Sequence, residues 1–268
     1  MGRGDPSEEA PFPRLLAPDL PAPLYAPEPM PASRDEIEAN LREIRQAIRS
    51  AAERAGRDPA DVELVAAAKK VPPEPIRWVV EAGVRSIGHN YVRELRASQE
   101  ALPDLEVRWH YIGALQGGTA HQVADAADVV QTVAGERAAR RLAGRAARSG
   151  RVLDVLIEVD FTGARSGVLP ERAPATADLL TALGGVRLRG LMTIPPVTPT
   201  AEEARPWFVR LRELRDRIRR TYPDVLELSM GMSLDYPVAI EEGATMVRIG
   251  TALFGPRALS GTRERPAP

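Results

Sequence analysis

The chain has 268 residues, of which 44% are hydrophobic and 27% are charged, and its net charge at neutral pH is −1. This composition is typical of a globular protein with a full core, and the near-zero charge gives no electrostatic basis for binding nucleic acid or a membrane surface. The sequence contains no cysteine, which excludes disulfides, thiolate metal sites and cysteine catalysis.

The N-terminal segment is rich in proline. Nine prolines fall within the first thirty-one residues, with no helical or strand period, so residues 1–32 are predicted to be a disordered extension. The segment lacks the basic start and apolar core of a signal peptide, and no apolar run approaches the ~18 residues of a membrane span. We therefore expect a cytoplasmic protein. Residues 259–268 are predicted to be a disordered tail, which leaves one domain over residues 33–258.

Ordered structure is predicted to begin with a helix at Ser33. Ser33 and Glu36 have the spacing of a capping box, in which each residue bonds the backbone of the other. An apolar face with helical period follows at Ile37, Leu41, Ile44 and Ile48. Gly56 ends this helix, which precedes the first strand and is therefore an extra N-terminal element.

Short apolar runs then alternate with helical patterns to the end of the domain. The predicted strands are Glu63–Ala68, Val84–Gly88, Val107–Gly113, Asp128–Val133, Val152–Asp160, Arg187–Ile194, Val225–Met230 and Met246–Gly250. The predicted helices between them are Glu74–Ala82, Tyr91–Ala101, Thr119–Ala124, Gly135–Arg148, Pro170–Leu183, Thr200–Tyr222 and Leu234–Glu242. Eight strands separated by helices predict a single α/β domain, a (β/α)8 TIM barrel. A doubly wound open sheet is the alternative, but no Gly-x-Gly-x-x-Gly follows the first strand.

Active groups of such barrels lie where strands end and the following loops begin. Those positions hold the polar and glycine-rich residues of an otherwise apolar pattern: Lys69, His89-Asn90, His110, Asp160 to Gly167, Met192-Thr193, Ser229-Met230-Gly231 and Arg248-Gly250-Thr251.

Lys69 and Lys70 are the only lysines of the chain, and every other basic residue is arginine. Arginine can replace lysine in most surface roles, but it does not lose its proton and cannot form a Schiff base with an aldehyde. A lysine retained at the end of the first strand is therefore a candidate covalent nucleophile. Adjacent residues of an extended strand point to opposite faces, so only one of the two can point into the barrel mouth.

The ends of the last two strands suggest a phosphate site. Leu228–Ser233 follows the seventh strand and Val247–Thr251 ends the eighth, and both are rich in glycine and hydroxyl side chains. Barrels often hold a phosphate between these two loops. Together with the lysine on the first strand, they suggest a phosphorylated aldehyde lying across the barrel mouth.

Six stretches resemble the pyridoxal phosphate homeostasis protein family, which is similar to the N-terminal barrel of alanine racemase. They are Val65–Lys69, Gly88–Tyr91, His110–Gln116, Gly190–Pro195, Leu228–Ser233 and Val247–Gly255. The resemblance covers roughly residues 35–257 in order. It implies that pyridoxal 5′-phosphate (PLP) is held as a Schiff base on Lys69. It also implies that Arg248 faces the pyridine nitrogen and that further cofactor-binding residues are Asn90, Met192, Ser229, Gly231, Gly250 and Thr251.

The chain departs from the family pattern at several positions. His89 stands where the family usually has glutamate, and Val71 stands where it has a second lysine. Gly118-Thr119 replaces an Asn-Lys pair, and Arg165 replaces the lysine of the fifth-strand loop. These changes affect residues around the mouth and leave the lysine and the phosphate loops of the primary site in place.

The resemblance implies a monomeric protein that keeps or carries PLP, without substantial catalysis, and that hands it to PLP-requiring apo-enzymes. No metal is expected, because the three histidines lack ligand spacing. Two alternatives are a low-activity PLP-dependent amino-acid racemase, with Tyr91 or His110 as the second base, and a cofactor-free Schiff-base aldolase acting on a phosphorylated sugar.

Overall fold

Eight parallel strands follow one another around a closed barrel, and the last strand pairs with the first. The computed structural model describes residues 32–256, so the predicted N-terminal extension and C-terminal tail lie outside the described residues. The strands are β1 Glu63–Ala67, β2 Ser86–His89, β3 Arg108–Tyr111, β4 Val129–Val133, β5 Leu153–Val159, β6 Val186–Thr193, β7 Glu227–Ser229 and β8 Met246–Ile249. The predicted barrel is confirmed.

Helices connect the strands on the outside of the barrel. The α-helices are α1 Arg34–Arg54, α2 Pro73–Glu81, α3 Val92–Ala101, α4 Ala120–Ala126, α5 Glu136–Arg148, α6 Ala173–Ala182, α7 Arg205–Arg219, α8 Tyr236–Glu241 and α9 Thr251–Phe254. Three single-turn 3₁₀ helices lie at Pro59–Asp61, Pro170–Arg172 and Glu202–Ala204. Within residues 32–256, no helix combines the length and the apolarity that crossing a bilayer requires.

The extra N-terminal helix begins with the predicted capping box. The Ser33 backbone N–H donates to Glu36 Oε2 over 2.7 Å, and the Glu36 backbone N–H donates to Ser33 Oγ over 3.4 Å. The apolar face of α1 is buried and packs against α2, α8 and α9. The helix therefore closes the seam between the start and the end of the barrel.

Arg205 ties the last part of the barrel together. Its guanidinium contacts Glu202, Glu241 and Glu242 at 2.7, 2.7 and 2.8 Å, and these carboxylates raise the pKa of Arg205. Arg54 at the end of α1 shares Glu241. The cluster joins α1, α7 and the end of α8 on one side of the barrel.

Alternation along the strands divides the core into two parts. The larger cluster lies between the strands and the helices, and it includes Ile87, Val130 and Leu191. Val129, Leu156 and Met192 form a separate small cluster. Because side chains of a strand alternate between its two faces, this second cluster belongs to the barrel interior. The remaining interior positions carry polar groups that matter for the site.

The strand and helix predictions differ from the structure mainly at their ends. The first strand ends at Ala67, so Lys69 and Lys70 lie in a turn and not on an extended strand. The alternation argument holds only for extended residues and therefore does not apply to this pair, although β1 does deliver Lys69 to the mouth. The four-residue helix α9 and the 3₁₀ helix Pro59–Asp61 are too short to show a periodic apolar pattern, and the sequence did not predict them. The other two 3₁₀ helices are the first turns of helices that the sequence predicted as continuous.

Candidate functional site

A cavity of about 430 Å3 opens at the carboxyl ends of the strands. Among the residues predicted for the site, Lys69, Asn90, Arg248, Gly250 and Thr251 line it. They come from the ends of β1, β2 and β8, which are separated by up to 182 positions in the chain and are brought together only by barrel closure. The walls are completed by Ala67, Ile112, Arg165, Ile194, Pro195, Pro196, Val197, Thr198, Met232, Ser233, Leu234 and Asp235.

A turn directly after β1 aims Lys69 into the cavity. Lys70 has a φ of 57° and is the only non-glycine residue with positive φ among residues 32–256. Its backbone N–H donates to Glu94 Oε2 over 3.2 Å, which anchors the turn to α3. Left-handed backbone is costly for a residue with a side chain, and such strain is concentrated at functional sites. The half-buried Lys69 thus points inward, whereas Lys70 is exposed and does not line the cavity.

The Lys69 amine lies beside an aromatic ring at the rim. Lys69 Nζ is 5.5 Å from the centroid of the Tyr91 ring, within the range of a cation–π contact. Tyr91 is 51% exposed, so solvent reaches the amine past this ring. Asn90 lies next to it and donates from Nδ2 to the Ile112 carbonyl over 3.4 Å.

The loops after β7 and β8 form the opposite end of the cavity. The Ala252 backbone N–H donates to Ser233 Oγ over 3.1 Å, and this bond holds the two loops together. The Met232 backbone N–H donates to Asp235 Oδ1 over 2.7 Å. Ser233 and Thr251 bring two hydroxyls and Gly250 brings backbone without a side chain, a donor set suited to a phosphate.

Gly231 shapes the β7 loop without lining the cavity. Its φ is 92°, and a Cβ added to it would lie 2.6 Å from Ala239 Cβ and 2.9 Å from Tyr236 Cα. Its carbonyl accepts the Arg248 backbone N–H over 3.0 Å. A side chain at this position would therefore push α8 away from the loop. Gly231 acts on the site through the course of the backbone.

Met192 and Ser229 also lie beneath the cavity, although both were predicted to bind the cofactor directly. Met192 packs in the interior with Val129 and Leu156. The fully buried Ser229 hydroxyl donates to Gln131 Oε1 over 2.7 Å and accepts from Arg248 Nη1 over 2.6 Å. Ser233 occupies the loop position at the cavity wall that Ser229 does not reach.

Arg248 forms the floor of the cavity and is 5% exposed. In addition to its bond with Ser229, Arg248 donates from Nη2 to the Thr193 carbonyl over 2.9 Å. Burial lowers the pKa of Arg248 to about 10, although the negative charges of Glu158 and Asp235 act to raise it. The guanidinium is therefore positively charged at neutral pH. Burial also raises the pKa of both carboxyls, and the charge of Arg248 opposes that rise in each.

The loop after β5 is organised by Asp160. Its carboxylate accepts the backbone N–H groups of Thr162 and Arg165 over 2.8 and 2.6 Å, and also accepts the Thr162 hydroxyl. Burial favours a higher pKa for Asp160, but these hydrogen bonds outweigh it and lower the pKa. The ordered loop holds Arg165 at the cavity wall.

None of the three histidines lines the cavity. His89 packs against Trp109, with ring centroids 6.2 Å apart, and burial lowers the pKa of His89 to about 4. His110 lies fully buried in the barrel interior and bonds Gln131. His121 is exposed on α4. Across residues 32–256, no group of three or more His, Asp or Glu side chains is placed to hold a metal ion.

Known proteins match this chain over the barrel. Residues 33–258 match the family model described as "Alanine racemase, N-terminal domain". A "Pyridoxal phosphate homeostasis protein" of Aquifex aeolicus is 43% identical over 220 residues, which cover 81% of this chain and 96% of that protein. A protein of the same name from Pseudomonas aeruginosa is 42% identical over 225 residues, covering 82% and 96%.

A solved structure of a related protein has the same fold. PipY of Synechococcus elongatus PCC7942, determined with PLP bound, is 34% identical, with a TM-score of 0.74 over 82% of this chain and 100% of that chain.

Proposed function

Since the chain belongs to the pyridoxal phosphate homeostasis protein family, whose barrel is that of the alanine racemase N-terminal domain, we propose that it binds PLP and acts in PLP homeostasis. We further propose that PLP is held as a Schiff base on Lys69. The observation that carries the proposal is the position of the Lys69 amine in the same cavity as the hydroxyl and glycine groups of the β7 and β8 loops.

The residues at the cavity fit PLP. The cavity of about 430 Å3 has the size of a small-cofactor site. It offers a primary amine for an aldehyde, a guanidinium at its floor, and two hydroxyls with adjacent glycine backbone for a phosphate. This donor set matches the three functional parts of PLP.

Each group has a proposed role. When bound, PLP supplies an aldehyde carbon to which the Lys69 amine adds with loss of water. Thr251, Gly250 and Ser233 hold the phosphate, with Gly231 fixing the course of the β7 loop. Asn90 orients the ring, and Met192 supports the floor from below. In this arrangement Ser229 serves Arg248 and does not bind the phosphate itself.

The charge of Arg248 supports a carrier role without substantial catalysis. A guanidinium offers only donors and keeps its proton, so a pyridine nitrogen facing Arg248 is not encouraged to become protonated. An unprotonated pyridine is a weaker sink for electrons, and PLP reactions at the substrate α-carbon depend on that sink. PLP-requiring apo-enzymes are then the proposed recipients of the cofactor.

The racemase alternative now rests on Tyr91. Racemisation needs a second acid or base near the lysine. Tyr91 lies at the rim beside Lys69 Nζ, whereas His110 is buried below the floor and does not line the cavity. Exchange of the α-hydrogen of alanine in deuterated water, abolished by Tyr91→Phe, would support the racemase. The carrier proposal predicts no exchange above the buffer rate.

Titration of the cofactor-free protein with PLP tests binding and its lysine. We expect a visible absorption band to develop in the wild type and in Lys70→Ala, and to be lost in Lys69→Ala. A band of equal size in Lys69→Ala would contradict the Schiff-base assignment. A cofactor-free aldolase would be colourless as purified.

Four further statements remain proposals, and each has a simple measurement. Release of PLP from the loaded protein to an apo-enzyme, faster than from free solution at the same total concentration, would support handover. Sedimentation at several concentrations would test the monomer. Cell fractionation would test the cytoplasmic location, and limited proteolysis would test whether residues 33–258 form one resistant domain.

A further inference from the structure

A line of five polar side chains runs through the barrel interior below the candidate site. It begins at Arg248 on β8 and passes through Ser229 on β7 and Gln131 on β4. Arg248 Nη1 is 2.6 Å from Ser229 Oγ, and Ser229 Oγ is 2.7 Å from Gln131 Oε1. Gln131 Nε2 is 2.8 Å from Nδ1 of His110 on β3. The line ends where His110 Nε2 faces Oε1 of Glu63 on β1 at 3.5 Å.

The chemistry of the two ends gives every bond of this line the same direction. Arg248 can only donate, so Ser229 accepts from it and passes its own proton to Gln131 Oε1. At the other end, the carboxylate of Glu63 lies 3.5 Å from His110 Nε2 without forming a hydrogen bond, and its negative charge favours the neutral tautomer of His110 that carries the proton on Nε2. His110 Nδ1 is then an acceptor for the Gln131 amide N–H. With a neutral His110, the reversed amide would place the bare Nε2 lone pair against the carboxylate.

The uniform direction stabilises the charge at each end. Acceptor atoms face the Arg248 cation and donor hydrogens face the Glu63 anion. Burial favours a higher pKa for Glu63, but its contacts with His110, Ser86 and Arg108 outweigh burial and lower the pKa to about 2. Glu63 therefore remains an anion over the whole physiological range, and it anchors the far end of the line.

Arg248 needs such an anchor because two carboxylates compete for it. Glu158 and Asp235 both attract the buried guanidinium electrostatically. Its orientation depends on the Ser229 hydroxyl and the Thr193 carbonyl. Ser229 directs a lone pair at Arg248 only while Gln131 accepts the Ser229 proton, and Gln131 keeps that orientation only while His110 accepts from its amide.

We propose that Gln131 and His110 are positioning residues that hold the Arg248 guanidinium against the pyridine ring of bound PLP, although neither lines the cavity. The inference rests on the proposed function, because it concerns how the floor of that site is held. It assigns a function beyond packing to the interior histidine and glutamine. By orienting Arg248, they set the proton affinity of the pyridine nitrogen of the cofactor.

The first test needs no cofactor. In ¹⁵N-labelled wild-type protein, long-range nitrogen–proton correlation spectra distinguish the two neutral tautomers of each of the three histidines. We expect His110 to carry its proton on Nε2 and to have a bare Nδ1 at neutral pH. Assignment uses the signal lost in His110→Gln. A proton on Nδ1, in a neutral or a doubly protonated His110, would reverse the line and overturn the proposal.

The second test uses PLP labelled with ¹⁵N in the pyridine ring. Gln131→Met keeps the length of the side chain but cannot bond Ser229 or His110. We expect its bound PLP to retain the Lys69 linkage while the proton-binding constant of the pyridine nitrogen rises about tenfold or more, because Arg248 turns toward Glu158 and Asp235. Leu156→Met, a volume-conserving change in the same interior, is the matched control and should give the wild-type constant.

The outcomes separate the two proposals. An unchanged proton-binding constant in Gln131→Met, with PLP bound, would overturn the positioning role and leave the proposed function standing. Failure of the wild type to bind PLP would overturn both. If Gln131→Met does not fold, Ser229→Ala removes one hydroxyl from the same line and must produce the same rise.

Discussion

Replacing His89 by phenylalanine should remove a large part of the protein's sensitivity to acid. His89 is 1% exposed, packs against Trp109 and has no hydrogen-bond partner at either ring nitrogen. Its closest acidic group is Glu94, whose Oε2 lies 3.9 Å from Nδ1. Burial lowers the pKa of His89 from 6.5 to about 4. A phenylalanine ring preserves the stacking and has nothing to protonate.

The magnitude follows from proton linkage. The unfolded chain binds a proton at this position near pH 6.5, whereas the folded chain binds it only near pH 4. The folded state therefore loses stability as the pH falls from 6.5 to 4. One pKa unit corresponds to about 1.4 kcal/mol, so the shift costs up to about 3 kcal/mol when complete. Between pH 7.5 and pH 5, the same relation gives a loss of about 2 kcal/mol.

Urea unfolding at pH 7.5 and pH 5.0 measures the difference. The wild-type free energy of unfolding should fall between these pH values by about 2 kcal/mol more than that of His89→Phe. Comparing the pH dependence cancels any packing change, which affects both pH values alike. His121→Phe alters an exposed histidine and is the matched control. Equal pH dependence in wild type and His89→Phe would refute the reasoning and point to a compensating pair with Glu94.

Three other changes test the barrel and the site. Glu63→Gln should lower the free energy of unfolding at pH 7 by about 1–3 kcal/mol. It should also flatten the fall of this free energy between pH 4.5 and 2, where the wild-type carboxylate with its pKa of about 2 becomes protonated. Acid titrations followed by circular dichroism measure this, and coincident curves for the variant and the wild type would be the contrary result. Gly113→Ala would place a Cβ 1.9 Å from the Asn90 carbonyl oxygen, so we expect the free energy of unfolding to fall by about 3 kcal/mol and PLP binding to weaken. Gly118→Ala, where a Cβ meets nothing within 4 Å, is the control, and equal behaviour of the two variants would be the opposing result. Arg205→Gln should lower the free energy of unfolding in urea by about 1–2 kcal/mol, and by less in 1 M salt, because the contacts of Arg205 are ion pairs. A loss independent of salt would argue against an ionic origin.

The fold was predictable because its signals are local and repeated. Each strand is a short apolar run, the first helix shows a 3.6-residue apolar period, and the capping box at Ser33 and Glu36 is visible in the sequence. Repetition of strand and helix eight times leaves few architectures open. The ends of elements were less accurate, because short 3₁₀ turns and the four-residue α9 have no periodic signal.

The candidate site was predictable where a residue type is chemically irreplaceable. A lysine in a chain that otherwise uses arginine, and glycine with hydroxyls after the last two strands, identified Lys69, Gly250 and Thr251, which all line the cavity. Left-handed backbone at Lys70 had no sequence signal, because glycine or asparagine is the usual residue for such a turn. The turn nevertheless determines which lysine enters the cavity.

The interior of the barrel could not be read from the sequence. Gln131 and Ser229 are 98 positions apart, and only barrel closure brings their side chains to 2.7 Å. Hydroxyls on neighbouring loop positions look alike in a sequence, so Ser229 was assigned to the phosphate while Ser233 is the one at the cavity wall. His89 also looked like a mouth residue, because its strand end is apparent but the face it points to is not.

Reduction of the PLP-loaded protein with borohydride, followed by mass mapping of its peptides, tests the central claim most directly. Reduction makes a Schiff base permanent, and the chain offers only Lys69 and Lys70 as lysine acceptors. We predict a single pyridoxyl label on Lys69, because Lys69 lines the cavity and Lys70 does not. A label on Lys70, or a lysine peptide without any label, would contradict the account.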